Sequence, residues 1–319
     1  MLRGRLFIDN QDAYEYYGLY VKDYTPLIAY PQYKSLQTND WHERDGVEVD
    51  LSNPVLNSRQ FVLQFYCGRP EGVSDAQVLL SDLASTAYHS FYFAEIDKTY
   101  ILRMIDTPSF SQNSRFDNFS ITFCEDNVPM PNGGVPSMVT GISLGYTIDD
   151  ADFALYGCTV LKGTRDSFLK FSKPKEAWKS NYSIMHGVIY DANDNVRLKS
   201  KDITIKLHIR TSSVSEFWER WDALWTAVFL VKDTEGLSAA ERIVEGDGMI
   251  FRCYYKKNDV SEFLFTPEGG IWCDFTITFS VIAYNRGDAW YYLEMEDGVP
   301  VLYEYDNENN DNLTLVRIR

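Results

Sequence analysis

Two stretches of this chain, about 140 residues apart, carry one pattern in the same order. The first runs from Tyr17-Gly18 through Gly46-Val-Glu-Val-Asp50 and Ser58-Arg-Gln-Phe-Val-Leu63, then a helix-like block, to Phe116-Asp-Asn-Phe-Ser-Ile-Thr-Phe123. The second runs from Tyr156-Gly157 through Gly187-Val-Ile-Tyr-Asp191 and Ser200-Lys-Asp-Ile-Thr-Ile205, then a helix-like block, to Ile271-Trp-Cys-Asp-Phe-Thr-Ile-Thr-Phe279. Matched positions are offset by 139 to 142 as far as the helix-like block and by 156 at the closing strand, which places an insertion between Phe229 and Ile271. Repetition on the scale of a whole domain points to symmetry or stacking before it points to chemistry.

A length of 319 residues agrees with two repeats plus a remainder. The expected domains are 1–135 and 136–285, with 286–319 as a C-terminal extension. Apolar residues make up 45% of the chain, enough for two cores. The excess is aromatic, with 22 Tyr, 19 Phe and 7 Trp, a bias that suits strands and interfaces more than helical bundles. Cys67, Cys124, Cys158, Cys253 and Cys273 are odd in number and far apart, and none forms a C-x-x-C pair. Neither a disulfide framework nor a zinc site is signalled, so buried free thiols are expected. The longest apolar run, Trp225-Thr-Ala-Val-Phe-Leu-Val231, falls far short of the ~18 residues that span a bilayer. The opening Met1-Leu-Arg-Gly-Arg-Leu-Phe-Ile-Asp9 lacks the hydrophobic stretch of a signal peptide, so synthesis in a cytoplasm is expected. A formal charge of −16 repels a phosphate backbone over most of the surface, which disfavours specific nucleic-acid binding.

Each repeat opens with short extended segments, Gly18-Leu-Tyr-Val21 and Leu27-Ile-Ala-Tyr30 in the first, followed by a polar loop and the alternating Val47-Glu-Val-Asp-Leu51. Long strands follow at Arg59–Tyr66 and Lys201–Ile209; the second puts Ile203, Ile205, Leu207 and Ile209 on one face. Capping-box patterns come next, Ser74-x-x-Gln77 and Ser213-x-x-Glu216. After the second, Phe217, Trp218, Trp221, Leu224, Trp225, Val228 and Phe229 recur at helical spacing, as expected of a face laid on a sheet. One helix among six or seven antiparallel strands predicts a mainly β (α+β) chain: two tandem β-sandwich or split-barrel domains of one fold, each with one helix on its sheet. Met130-Pro-Asn-Gly-Gly-Val-Pro136 reads as the linker. The final segment carries a hairpin signal at Glu296-Asp-Gly298 and an acidic turn from Asp306 to Asn312.

No residue pattern points to catalysis. His42, His89, His186 and His208 do not occupy equivalent places in the repeats, and no metalloprotease, hydrolase, phosphate-loop or dinucleotide pattern occurs. The expected catalytic, cofactor and metal residues are none, and the chain is not expected to be an enzyme. Asp191-Ala-Asn-Asp-Asn195 starts like a calcium loop but has Val196 where the turn needs Gly and Asp202 where a bidentate Glu belongs, so a hairpin turn explains it better. The loop Asn39-Asp-Trp-His42 and the aromatic surplus leave a tandem carbohydrate-binding β-sandwich as the alternative.

The whole pattern, Tyr-Gly, a polar loop, Gly-x-x-x-Asp, a long alternating strand, a capped helix and a closing Phe-x-Ile-Thr-Phe strand, resembles the tail-tube-like domain of bacteriophage tails. It is similar, over residues 13 to 282, to the distal tail protein and tail hub family. The resemblance implies a virion structural protein, made in a bacterial cytoplasm, that self-associates into a ring, as a hexamer or a pseudo-sixfold trimer, at the distal end of the tail tube. It implies other tail and baseplate proteins as partners, DNA only as a passenger through the channel, no cofactor and no membrane. One departure is that distal tail proteins usually follow one ring domain with a lectin-like one, whereas both repeats here are of one kind.

Overall fold

The computed structural model describes residues 4–43, 45–67, 72–106, 109–112, 117–134, 141–176, 179–190, 196–229, 240–285, 293–296, 299–305 and 313–317. The first part comprises β1 (Leu6–Ile8), β2 (Gln11–Asp12), α1 (Ala13–Tyr17), β3 (Leu19–Val21), α2 (Thr25–Ile28), β4 (Thr38–Asn39), β5 (Glu48–Val49), β6 (Arg59–Cys67), α3 (Gly72–Leu83), β7 (His89–Phe93), β8 (Lys98–Met104), β9 (Ser109–Gln112) and β10 (Asp117–Glu125). The second comprises β11 (Thr147–Ile148), β12 (Ala151–Asp152), a 3-10 turn (Phe153–Tyr156), β13 (Cys158–Val160), α4 (Thr164–Leu169), β14 (Lys179–Ser180), β15 (Ile189–Tyr190), β16 (Asp202–Arg210), α5 (Val214–Phe229), β17 (Glu241–Gly246), β18 (Met249–Phe265) and β19 (Ile271–Asn285). β20 (Leu293–Glu296), β21 (Val299–Tyr305) and β22 (Leu313–Arg317) form a separate three-stranded sheet.

The chain is mainly β, in two large antiparallel sheets. Sheet I runs β2-β1-β7-β8-β10-β6-β3, with β9 joined to β10, and sheet II runs β12-β11-β17-β18-β19-β16-β13. Read position by position, the two orders are the same. Registers agree as well: Phe119, Ile121 and Phe123 lie opposite Phe65, Leu63 and Phe61, while Phe275, Ile277 and Phe279 lie opposite Leu207, Ile205 and Ile203. Sheet I curls until its ends approach, where the Val21 N–H donates to the Gly4 carbonyl at 3.0 Å. Only glycine fits there, because Gly4 has φ +85° and a Cβ would sit 2.6 Å from the Val21 oxygen.

Period-2 alternation sets which face is buried. In β16 the isoleucines and Leu207 are fully buried and the intervening residues face outward; β6 buries Phe61, Leu63, Phe65 and Cys67 in the same way. The Tyr-Gly signature of each repeat also has a local cause. Asp12 and Asp152 cap a short helical turn by accepting the N–H groups of Tyr14 and Ala154, Tyr17 and Tyr156 bury their rings, and Gly18 and Gly157 end the turn at φ +65° and +72°.

Helix α5 opens as the capping pattern predicts, with the Glu216 N–H donating to Ser213 Oγ at 3.2 Å; the Glu216 carboxylate reaches back to Ser212 rather than to Ser213. Its aromatic stripe is core. Trp221 and Trp225 are fully buried, Trp221 against Phe275 and Trp225 against Tyr255 in sheet II. The helix also touches the first part of the chain. Tyr30 packs on Trp225 with ring centroids 4.9 Å apart, Trp218 Nε1 donates to the Ile96 carbonyl, and Lys98 lies over the Trp218 ring. The linker crosses the same helix so closely that a Cβ on Gly133 would sit 2.5 Å from the Ala223 nitrogen. The two parts therefore share one continuous buried cluster.

Several expectations need correction. Leu27–Tyr30, expected to be extended, begins inside α2, because Pro26 suits a first helical turn and the Asp23 carboxylate accepts both Thr25 N–H and Thr25 Oγ1. The strand expected at Val47–Leu51 shrinks to Glu48–Val49 at the tip of a hairpin arm. Each repeat holds short helical turns besides its long helix. The hairpin expected near Glu296 forms, with Glu296 paired to Val299, whereas the turns at 191–195 and 306–312 lie outside the described residues.

Trp221→Ala is expected to cost about 3–5 kcal/mol, the scale of large aromatic truncations in cores. Among the described residues the Trp221 indole N–H meets no acceptor, so Trp221→Phe should cost distinctly less, as urea denaturation of the two variants will show.

Candidate functional site

Two of the four histidines have structural partners. His89 Nδ1 lies 2.6 Å from Asp9, and its Nε2 lies 3.2 Å from the Leu83 carbonyl. His208 pairs with Asp274 and packs against Trp272 on the outer face of sheet II. His42 and His186 lie in the two hairpin arms and are not brought together. All five cysteines are buried free thiols, and burial pushes the Cys158, Cys253 and Cys273 thiols up, away from the reactive thiolate. Among the described residues no group of three or more His, Cys, Asp or Glu side chains could hold a metal ion.

Two cations, Arg59 buried and Lys201 half-buried, do matched structural work. Arg59 Nη1 donates to the carbonyls of Leu27 and Ala29 at the end of α2, and Lys201 Nζ donates to those of Phe168 and Lys170 at the end of α4. Arg59 also pairs with Glu125, whose carboxyl is raised by burial against the opposing pull of Arg59. Lys201 has Val281 where Glu125 stands, and burial lowers its ammonium to about 8.

The surface that stands out is built by the hairpin arms. Each arm rises from a base of two paired segments. In base 1 the Lys34 N–H donates to the Val55 carbonyl and Tyr33 bridges Leu56; in base 2 the Lys175 N–H donates to the Arg197 carbonyl and Pro174 bridges Leu198. Arm 1, with β4 and β5, sits on base 2. The Gly46 N–H donates to the Leu198 carbonyl at 2.7 Å, and the Leu198 N–H donates to Asp45 Oδ1 at 2.6 Å. Lys175 Nζ, with its side chain only 6% exposed, donates to the carbonyls of Trp41 and Gly46 at 2.7 Å each and pairs with Asp40. Val47 and Val49 then lean over the outer face of sheet II and enclose a cleft of about 260 Å³ against Ser200, Asp202, Tyr254 and Lys256. The loop Asn39–His42, which suggested a sugar site, is thus part of this seat: Asp40 and the Trp41 carbonyl take Lys175, and Trp41 Nε1 donates to Glu48.

Arm 2, with β14 and β15, has no such seat among the described residues. Ile184 is 92% exposed, and Tyr182, Met185, Ile189 and Tyr190 of the same arm are exposed as well. An apolar projection of this kind marks a contact surface. Periodicity could not reveal it, because arm 2 is a loop in sequence terms; the legible signal was the cluster Tyr182, Ile184, Met185, Val188, Ile189 and Tyr190 in a segment too short to form a core.

No known family model matches the chain, and no curated protein matches it. Among solved structures the chain is similar to the Dit protein of SPP1, described as a paradigm of the hub adsorption apparatus in phages that infect Gram-positive hosts. The two are 11% identical, the match covers 88% of this chain and 98% of that one, and the TM-score is 0.29. At that score the likeness carries no argument about this chain.

Two outcomes are expected. Lys175→Met should weaken the seat of arm 1 by about 1.5–3 kcal/mol, the scale of a hydrogen bond to a charged group, and make residues 38–49 the first point of proteolytic cleavage. Alkaline pH should destabilise the fold. Burial pushes Tyr33 and Tyr100 up to about 12 and raises Tyr24, Tyr30 and Tyr255, along with the three thiols above. From about pH 9 upward the unfolded chain therefore releases protons that the folded chain keeps, so stability falls as pH rises. Lys201 acts in the opposite sense between about 8 and its ordinary value, but it is one group against several. Urea midpoints measured from pH 8 to 11 will check the sign.

Proposed function

We propose that this chain is a structural component of a phage or prophage tail, with no catalytic role, that forms a ring or hub at the distal end of the tail tube. In this reading residues 1–135 and 136–285 are tandem copies of one tail-tube-like domain and 286–319 is an added extension. The observation that carries it is the repeated strand order of sheets I and II, together with a direct seat of arm 1 on the second module. Modules that already join one another within a chain need only repeat that step between chains to close around an axis. A sixfold arrangement arises from three chains of two modules or from six chains in two layers. The −16 charge suits a channel wall past which DNA slides without being held. Other tail and baseplate proteins would cap the two faces of the ring.

Electron microscopy of the purified protein, beside a mass measurement at high concentration, tests the reading. A ring with a central hole is expected, and its mass should hold as salt is raised, because strand pairing and aromatic contacts are screened less than surface ion pairs. A protein that stays a single chain at its solubility limit and with its neighbouring tail proteins present would overturn it.

A further inference from the structure

The unseated arm and an unused base lie at opposite parts of the molecule's repeat, and each has the features that the seated pair uses. We infer that arm 2 of one chain seats on base 1 and the outer face of sheet I of a second copy, head to tail, as arm 1 seats on base 2 within the chain. The inference rests on the ring reading above and names the residues that would join the copies.

The correspondence runs residue by residue. Lys34 holds the place in base 1 that Lys175 holds in base 2, since each donates its N–H to the returning strand, to Val55 and to Arg197 respectively. The Lys34 side chain is exposed and makes no hydrogen bond or ion pair among the described residues, whereas that of Lys175 is buried under arm 1. Gly187 holds the place of Gly46, and both have left-handed backbone, φ +84° and +69°, so their N–H and C=O groups can be presented alike. No atom lies within 4 Å of where a Gly187 Cβ would be, so that edge of arm 2 is open. Val188 and Tyr190 hold the places of Val47 and Val49. The first pair is 40% and 56% exposed, while the second is half-buried against sheet II.

The outer face of sheet I carries exposed apolar side chains that match those of arm 2 in chemistry. Val62, Ile101 and Ile105 are 45%, 53% and 37% exposed on the outer face of sheet I, and Ile105 stands where sheet II has Lys256. The fit favours another copy of this chain over an unrelated partner, because base 1 repeats the lysine, the bridged leucine and the flanking strands of a seat that already accepts an arm of this kind. The acceptors differ in charge: Asn181 and His186 replace Asp40 and Asp45, so the contact between copies is less ionic than the contact within the chain. It joins two different surfaces of the same chain, which is the head-to-tail relation that closes rings.

The test is cross-linking between singly substituted chains. Lys34→Cys and His186→Cys both lie at exposed positions, and the five native cysteines are buried, so a short bis-maleimide should act only at the new thiols. A mixture of the two variants should give a covalent dimer that neither gives alone. Ile184→Asp with Tyr190→Asp, both at exposed positions, should raise the concentration needed for half-assembly at least about tenfold, roughly 1.4 kcal/mol per tenfold change. If the wild-type protein assembles but the mixture gives no cross-link and the aspartate variant assembles normally, the arm contact is wrong and the ring reading survives. If neither assembly nor cross-link is found at the solubility limit, both are wrong.

Discussion

Helix α5 is the element on which the two sheets depend for their mutual position. Phe217, Trp221 and Trp225 pack on sheet II, and the first part of the chain reaches the same helix at four points, Tyr30 on Trp225, the Ile96 carbonyl at Trp218, Lys98 at Asp222 and the linker at Thr226. Aromatic rings of this size bury about 150–250 Å² each, so a stripe of them on one helix supplies most of what a module interface needs. Trp225 thus serves both a core and a junction.

Where the two sheets differ, the difference follows from what each position must satisfy. Arg59 and Lys201 both stop a short helix by taking its last carbonyls, yet Arg59 keeps a buried carboxylate partner and Lys201 faces Val281. A guanidinium can serve two carbonyls and a carboxylate at once from a fixed fork, while an ammonium without a counter-ion is left with a lowered proton affinity. The strands differ in the same spirit: β18 and β19 run well past the lengths of β8 and β10, and their pairing absorbs an extra residue at Lys256 and at Ser261 in β18 and one at Ile282 in β19.

Much of this architecture was readable from residue pattern. The alternation of Ile203, Ile205, Leu207 and Ile209 and the stripe of Trp221 and Trp225 identified a buried strand face and a buried helix face, because burial follows period 2 and period 3.6. The opening hairpins were missed, although Ile8-Asp-Asn-Gln-Asp12 and Ile148-Asp-Asp-Ala-Asp152 carry the signal. Asp9, Asn10, Asp149 and Asp150 all take left-handed backbone in a two-residue turn, and Asp12 and Asp152 then cap the next helical turn. Such a motif is short and polar, so a search for apolar periodicity passes over it. The arms were missed for a related reason: their strands are two residues long, and what holds arm 1 is backbone hydrogen bonding to Leu198 and Lys175, which no local sequence pattern encodes.

The unequal arms give the molecule a direction. Arm 1 is held by a buried ammonium with three acceptors, a contact formed as the chain folds and costly to undo. Arm 2 has Asn181 and His186 in place of the two carboxylates, with exposed apolar side chains beside them, which suits a contact made after folding. A module that used the stronger ionic seat at both ends would join any copy it met during synthesis, including unfinished ones. In the arrangement inferred above, keeping the ammonium seat for the internal step and an apolar, less ionic surface for a contact between copies would separate folding from assembly, since an apolar arm gains little until a complete face is there to cover it.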